Sequence, residues 1–139
     1  MILLDTSGLL AALDAAQRHH AGAAGCLAAA RAPLVLSPFV LAELDDLVLT
    51  RVGAAARASL LTEVVRGAYL LAPFANADVA RAEAIVNRYA DLAISLADAS
   101  IVVLAERHRI RDVLTLDERH FRALTTSDGE SLRLLPFDA

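Results

Sequence analysis

The sequence contains no lysine and no tryptophan, one cysteine, one methionine, four phenylalanines and two tyrosines in 139 residues. All 13 cationic side chains are therefore arginine. Without lysine there is no Walker A loop, no Schiff base to pyridoxal phosphate and no receiver-type phosphoacceptor site. A lone Cys26 excludes an intrachain disulfide and fits a reducing cytoplasm, which is the expected location. Zinc has little support, because no His and Cys cluster shows ligand spacing. No apolar run approaches the roughly 18 uncharged residues that a membrane span requires. The N-terminus has no basic segment and carries Asp5 inside its first apolar stretch, unlike a secretory signal. Basic character is also missing: the net charge is −4, which excludes a generally basic nucleic-acid binder. The all-arginine bias fits GC-rich codon usage, although arginine also matches phosphate with a planar fork.

What is present is aliphatic and alanine-rich, with 57% hydrophobic residues. That composition predicts closely packed helices and an apolar surface awaiting a partner. A chain of this length is expected to form one domain, residues 1–139, with a real core. Ile2-Leu3-Leu4 reads as a strand buried on both faces, as in the centre of a parallel sheet. Further strands are expected at Leu34–Leu36, Tyr69–Leu71, Val113–Leu116 and Ser131–Leu135. Helices are expected over Gly8–Ala16, over Arg18–Ala30 with interruptions at Gly22 and Gly25, from Pro38 behind a Ser37 cap, over Ala54–Arg66, from an Asn76 cap to Tyr89, through Ala99–Ala105, and over Glu118–Leu124. His19 and His20 point about 100° apart on a helix and read as solvated. Strands alternating with helices predict a three-layer α/β/α domain with a short-stranded, mostly parallel central sheet.

Four acids recur in matching places. Asp5 ends the first strand, and Asp117 ends the fourth. Glu43 lies on the apolar stripe of its helix beside Phe39, Val40, Leu44 and Leu47, and Asp98 lies in the first turn of the most apolar helix. Each has an ordinary explanation. Asp5 and Asp117 could cap the helices that follow them, Glu43 could reach sideways into water, and Ser95-x-x-Asp98 is a capping box. The face shared with Ile101, Val102 and Ala105 instead turns Asp98 toward the cleft, and that reading is preferred. In an open parallel sheet all four converge above the carboxyl edge of the strands, where such sheets bind ligands. Carboxylates held together repel one another, and a hard divalent ion, Mg²⁺ or Mn²⁺, relieves this. The matching chemistry is phosphoryl hydrolysis. An acidic protein would then meet RNA through the ion and local arginines. A haloacid-dehalogenase phosphatase is disfavoured, since its second Asp would fall at Ser7.

The set Leu4-Asp5-Thr6-Ser7, Ala42-Glu43-Leu44, Leu96-Ala97-Asp98-Ala99-Ser100-Ile101 and Leu114-Thr115-Leu116-Asp117-Glu118-Arg119-His120-Phe121 resembles a PIN-domain ribonuclease, in particular the VapC-type toxins of bacterial toxin–antitoxin pairs. The resemblance spans nearly the whole chain. It implies an endoribonuclease dependent on Mg²⁺ or Mn²⁺, with Asp5, Glu43, Asp98 and Asp117 as the catalytic, metal-binding acids. Thr6 or Ser7 would supply a supporting hydroxyl, and Thr115 would help orient the site. It further implies a small antitoxin partner and a homodimer. An RNA-processing nuclease without an antitoxin and a non-catalytic binding module on the same fold are the alternatives.

Overall fold

The computed structural model describes residues 1–139. In chain order the elements are β1 (Ile2–Leu4), α1 (Thr6–Leu13), α2 (His20–Ala29), β2 (Leu34–Leu36), α3 (Pro38–Arg51), α4 (Ala54–Val65), β3 (Leu70–Leu71), α5 (Asn76–Arg88), α6 (Leu96–His108), β4 (Asp112–Leu114), α7 (Glu118–Phe121) and β5 (Arg133–Leu135). The five strands form one sheet in the order β3-β2-β1-β4-β5, and every pairing is parallel. The three residues of β1 are all buried, as their unbroken aliphatic run requires of a central strand.

The chain runs outward from β1 through β2 to β3, then returns to place β4 on the other side of β1. The strand order therefore reverses between β1 and β4, and a crevice opens at their carboxyl ends. Register makes that edge a straight row, since Leu4 pairs with Leu36 and Leu114, and Leu114 with Leu135. The next residues along the row are Asp5, Ser37 and Thr115. Helices cover both faces. α6 is buried from Ala97 to Ala105 and packs against β1, α3 and α5. Its Ser100 hydroxyl lies 2.7 Å from that of Ser37, so even its polar residue is satisfied inside the core.

One contact sets how closely α1 approaches the sheet. A Cβ added at Gly8 would fall 2.2 Å from the Leu114 carbonyl oxygen and 2.7 Å from the Thr115 nitrogen. Only glycine lets the helix lie against the end of β4.

Several local expectations need correction. Gly22 and Gly25 do not interrupt α2, which runs through both. Asn76 is the first helical residue of α5, not its cap, and Asp78 accepts from the Ala75 amide (2.9 Å). The β4 strand stops at Leu114, so Asp117 lies three residues beyond it, not at its tip. β5 begins at Arg133, not Ser131. His20 and His19 are half-buried, not solvated: the His20 Nδ1 lies 2.8 Å from the Ala11 carbonyl, and His19 packs edge-on against Phe137.

Candidate active site

A cleft of about 460 Å³ opens at the crevice between β1 and β4. Its walls include Asp5, Thr6, Ser7, Glu43, Asp98, Asp117 and His120, and its rim includes Gln17 and Arg51. All four acids expected from the sequence reach this one cleft.

Asp5 is the most constrained of them. Its amide donates to the Leu114 carbonyl (3.0 Å), tying the residue to the neighbouring strand. Its Oδ2 accepts from the Ser7 hydroxyl (2.8 Å) and the Thr115 hydroxyl (2.7 Å). Those hydroxyls are aimed in turn, because Ser7 Oγ accepts from the Leu116 amide and Thr115 Oγ1 from the Asp117 amide, both at 3.0 Å. Both hydroxyls meet Oδ2, and neither meets Oδ1. Asp5 precedes α1 at the cap position, yet its carboxylate makes no cap bond. The capping explanation for Asp5 therefore fails.

For Asp98 both explanations hold at once. The capping box forms, with the Ser95 amide donating to Asp98 Oδ2 (3.1 Å) and the Asp98 amide to Ser95 Oγ (3.0 Å). The same carboxylate lines the cleft while 8% exposed. Capping and facing inward are not alternatives here, because a first turn that starts at the cleft wall lets one side chain do both. Asp117 behaves similarly, accepting from the His120 amide (3.0 Å) as the cap of α7 while lining the cleft. Glu43, by contrast, is exposed and makes neither a hydrogen bond nor an ion pair. It enters the cleft from α3, a helix started by Ser37 and Pro38 in the expected way.

Three of these carboxyls hold their protons more tightly than usual. Asp5 is raised chiefly by burial, against the hydrogen bonds from Thr115 and Ser7, and further by the charge of Asp98. Asp98 is raised by burial, which outweighs the Ser95 amide and His120, with Asp117 adding repulsion. Glu43 is raised by partial burial and then by Asp5 and Asp98. Groups of one sign are thus held together at a cost to the fold.

The donor set fits a hard divalent ion: four carboxylates, aimed hydroxyls, and a buried Thr6 Oγ1 without any hydrogen-bond partner. The supporting trio divides accordingly. Ser7 and Thr115 orient Asp5, whereas the Thr6 hydroxyl stays free at the wall.

The model of the PIN domain family matches residues 2–125. This chain belongs to the PIN-domain family. It is 46% identical over 135 residues to Ribonuclease VapC26 of Mycobacterium tuberculosis (strain ATCC 25618 / H37Rv), covering 97% of this chain and 100% of that protein. Among solved structures, M. tuberculosis VapC20, described as a sarcin–ricin loop cleaving toxin, matches with a TM-score of 0.78. That match covers 84% of this chain and 90% of VapC20 at 20% identity, a likeness of fold alone.

Two features of this PIN domain escaped the sequence reading. His120 is one: Asp117-x-x-His120 is an i, i+3 pair that a helical turn brings together, a spacing visible in the sequence. Arg51 stands eight residues after Glu43, about 80° around α3 and roughly 12 Å farther along it. It is the one arginine lining the cleft.

Proposed function

We propose that this PIN-domain protein is the toxin of a toxin–antitoxin pair, a metal-dependent endoribonuclease. The observation that carries the reading is the convergence of Asp5, Glu43, Asp98 and Asp117 on the crevice between β1 and β4. The 46% identity to Ribonuclease VapC26 over nearly the full length of both chains supports it.

Mg²⁺ or Mn²⁺ would be held by Asp5 and Asp98, with Glu43 and Asp117 completing the site. The bound ion supplies a water of lowered pKa and neutralises charge on the phosphodiester. The chain does the rest by positioning. Ser7 and Thr115 fix one oxygen of Asp5 and so aim the other into the cleft. The capping box holds the Asp98 carboxylate at the cleft wall. Glu43, bound to nothing else and holding its proton more tightly than usual, is placed to orient the attacking water or accept its proton. Arg51 gives the cleft its cation for the RNA backbone, in a protein whose net charge of −4 otherwise opposes RNA. In-line attack would leave 5′-phosphate and 3′-hydroxyl ends.

The antitoxin reading has its own support. An apolar groove of about 300 Å³, lined by Leu13, Val48, Val52, Ala56, Leu60 and Tyr69, lies beside α3 and α4 and suits an apolar partner segment. Homodimerisation is proposed from the family alone. No helix is long and apolar enough to cross a membrane, and we place the protein in the cytoplasm.

Expression in a bacterial host tests the toxin reading. Growth should arrest with the wild-type chain, continue with Asp5→Asn, and recover when a small open reading frame adjacent to the gene is co-expressed. Unimpaired growth with abundant folded wild-type protein would favour an RNA-processing nuclease without antitoxin.

A further inference from the structure

We infer that the His120 imidazole is a direct nitrogen ligand in this otherwise all-oxygen site, biasing it toward Mn²⁺ over Mg²⁺. This rests on the metal-dependent reading above and names a ligand which that reading does not contain.

His120 sits on the short helix α7, whose cap is Asp117. Its Nδ1 lies 2.8 Å from Asp117 Oδ2 and 3.4 Å from Asp98 Oδ2. One donor atom from each of Asp98, Asp117 and His120 lies within 4.8 Å of the other two. The simplest alternative is an imidazolium paired with two carboxylates. Against it, Nδ1 is sealed from solvent and still makes no hydrogen bond. At 2.8 Å that failure is one of direction, because neither oxygen lies along the in-plane axis of the ring nitrogen. The same axis carries the lone pair of the neutral ring, which is therefore committed to neither carboxylate.

The spacing also suits shared coordination. Donors about 2.1 Å from an octahedral ion stand about 3 Å from their nearest fellows, and the two contacts of Nδ1, at 2.8 and 3.4 Å, bracket that value. Thr6 is 8% exposed and lines the cleft, and its Oγ1 has no partner in the protein. Two sealed polar atoms without a hydrogen bond thus belong to residues lining one cleft. Mg²⁺ is small, dehydrates reluctantly and takes imidazole nitrogen less readily than the larger transition ion Mn²⁺, whereas carboxylate and water suit both. A nitrogen donor here therefore separates the two ions where four acids would not.

The test is pulsed electron paramagnetic resonance on the purified chain with Mn²⁺ alone. The wild-type protein should show ¹⁴N modulation from a directly bound imidazole, converting to the ¹⁵N pattern when histidine is labelled. His120→Asn should lose that modulation and weaken Mn²⁺ at least about tenfold in calorimetry, with Mg²⁺ changed far less. Labelling the wild-type chain keeps the test decisive even if the variant folds poorly. Mn²⁺ bound without histidine nitrogen coupling would overturn the inference and leave a carboxylate site intact. No Mn²⁺ binding at all would overturn both the inference and the metal-dependent reading.

Discussion

Gly8→Ala adds one methyl group to a helix, where alanine is ordinarily preferred over glycine by about 1 kcal/mol. Here the sign should reverse. The new Cβ would stand 2.2 Å from the Leu114 oxygen, 2.4 Å from its carbonyl carbon and 2.7 Å from the Thr115 nitrogen. Those are backbone atoms inside a central sheet pairing, so α1 must retreat by roughly 1 Å to reach ordinary contact. Overpacking of this kind costs about 1–3 kcal/mol. The retreat also stretches the hydroxyl bonds from Ser7 and Thr115 that hold Asp5, and bonds to a charged acceptor are worth about 1.5–3 kcal/mol each. After the helix-propensity gain, a net loss of about 2–4 kcal/mol remains, or roughly a 5–15 °C fall in Tm. RNA cleavage should fall further than stability, because Asp5 loses its aim while the fold survives. Gly25→Ala is the control: nothing lies within 4 Å of its added Cβ, so the same change should be neutral or stabilising. Thermal unfolding by circular dichroism and cleavage at a temperature well below both midpoints would be measured on each. A Gly8→Ala protein that melts with the wild type and cleaves normally would refute the packing argument.

Other outcomes follow from the site. Asp98→Asn keeps an acceptor for the Ser95 amide but removes a charge from a repelling group, so the metal-free Tm should rise; Mn²⁺ at about a hundred times its Kd should then give the wild type, but not the variant, about 2.7 kcal/mol of added stability in a melt. Thr115→Val removes both the donor to Asp5 and the acceptor for the Asp117 amide, and cleavage should drop by at least about tenfold with the fold retained, as far-ultraviolet circular dichroism would show. Arg51→Ala should weaken RNA uniformly across sequences and lower the salt slope of binding by about 0.7, measured by fluorescence anisotropy in the Asp98→Asn background, whereas Arg51→Lys restores the slope. Asp5, Asp98 and Glu43 have raised pKa values in the fold, so the unfolded chain releases their protons first as pH climbs above about 4. The metal-free protein therefore loses their contribution on the way to neutrality, and the stability gained from Mn²⁺ should grow over the same range in paired pH–denaturation series. Asp78 and Asp138 act in the opposite sense. Asp138 is held at about 2 by Arg122, so its contribution is lost only in stronger acid.

What could be read from the chain was whatever a short window determines. An unbroken aliphatic run such as Ile2-Leu3-Leu4 has no stable place except between two helical layers, and Ser37-Pro38 specifies a helix start without outside help. Asp5, Asp98 and Asp117 were legible because each ends or begins such an element, and Glu43 because it interrupts the apolar stripe of α3. Contacts made across the crevice were not. Thr115 donates to Asp5 over 110 positions of sequence, and Gly8 meets Leu114 only because β1 and β4 are neighbours. Asp98 was misjudged as a choice between two duties, since a linear reading does not reveal that the first turn of α6 forms the cleft wall. His19 and His20 looked solvated because their partners, Ala11 and Phe137, lie on other segments.

The most direct test of the account is cleavage of RNA by the purified, partner-free protein in Mn²⁺, in EDTA, and as Asp98→Asn, with the new ends mapped. Discrete cuts bearing 5′-phosphates, present only with Mn²⁺ and an intact Asp98, are the predicted result. Cuts that persist in EDTA or in Asp98→Asn would contradict the claim that the acids at the β1–β4 crevice hold the ion that cleaves.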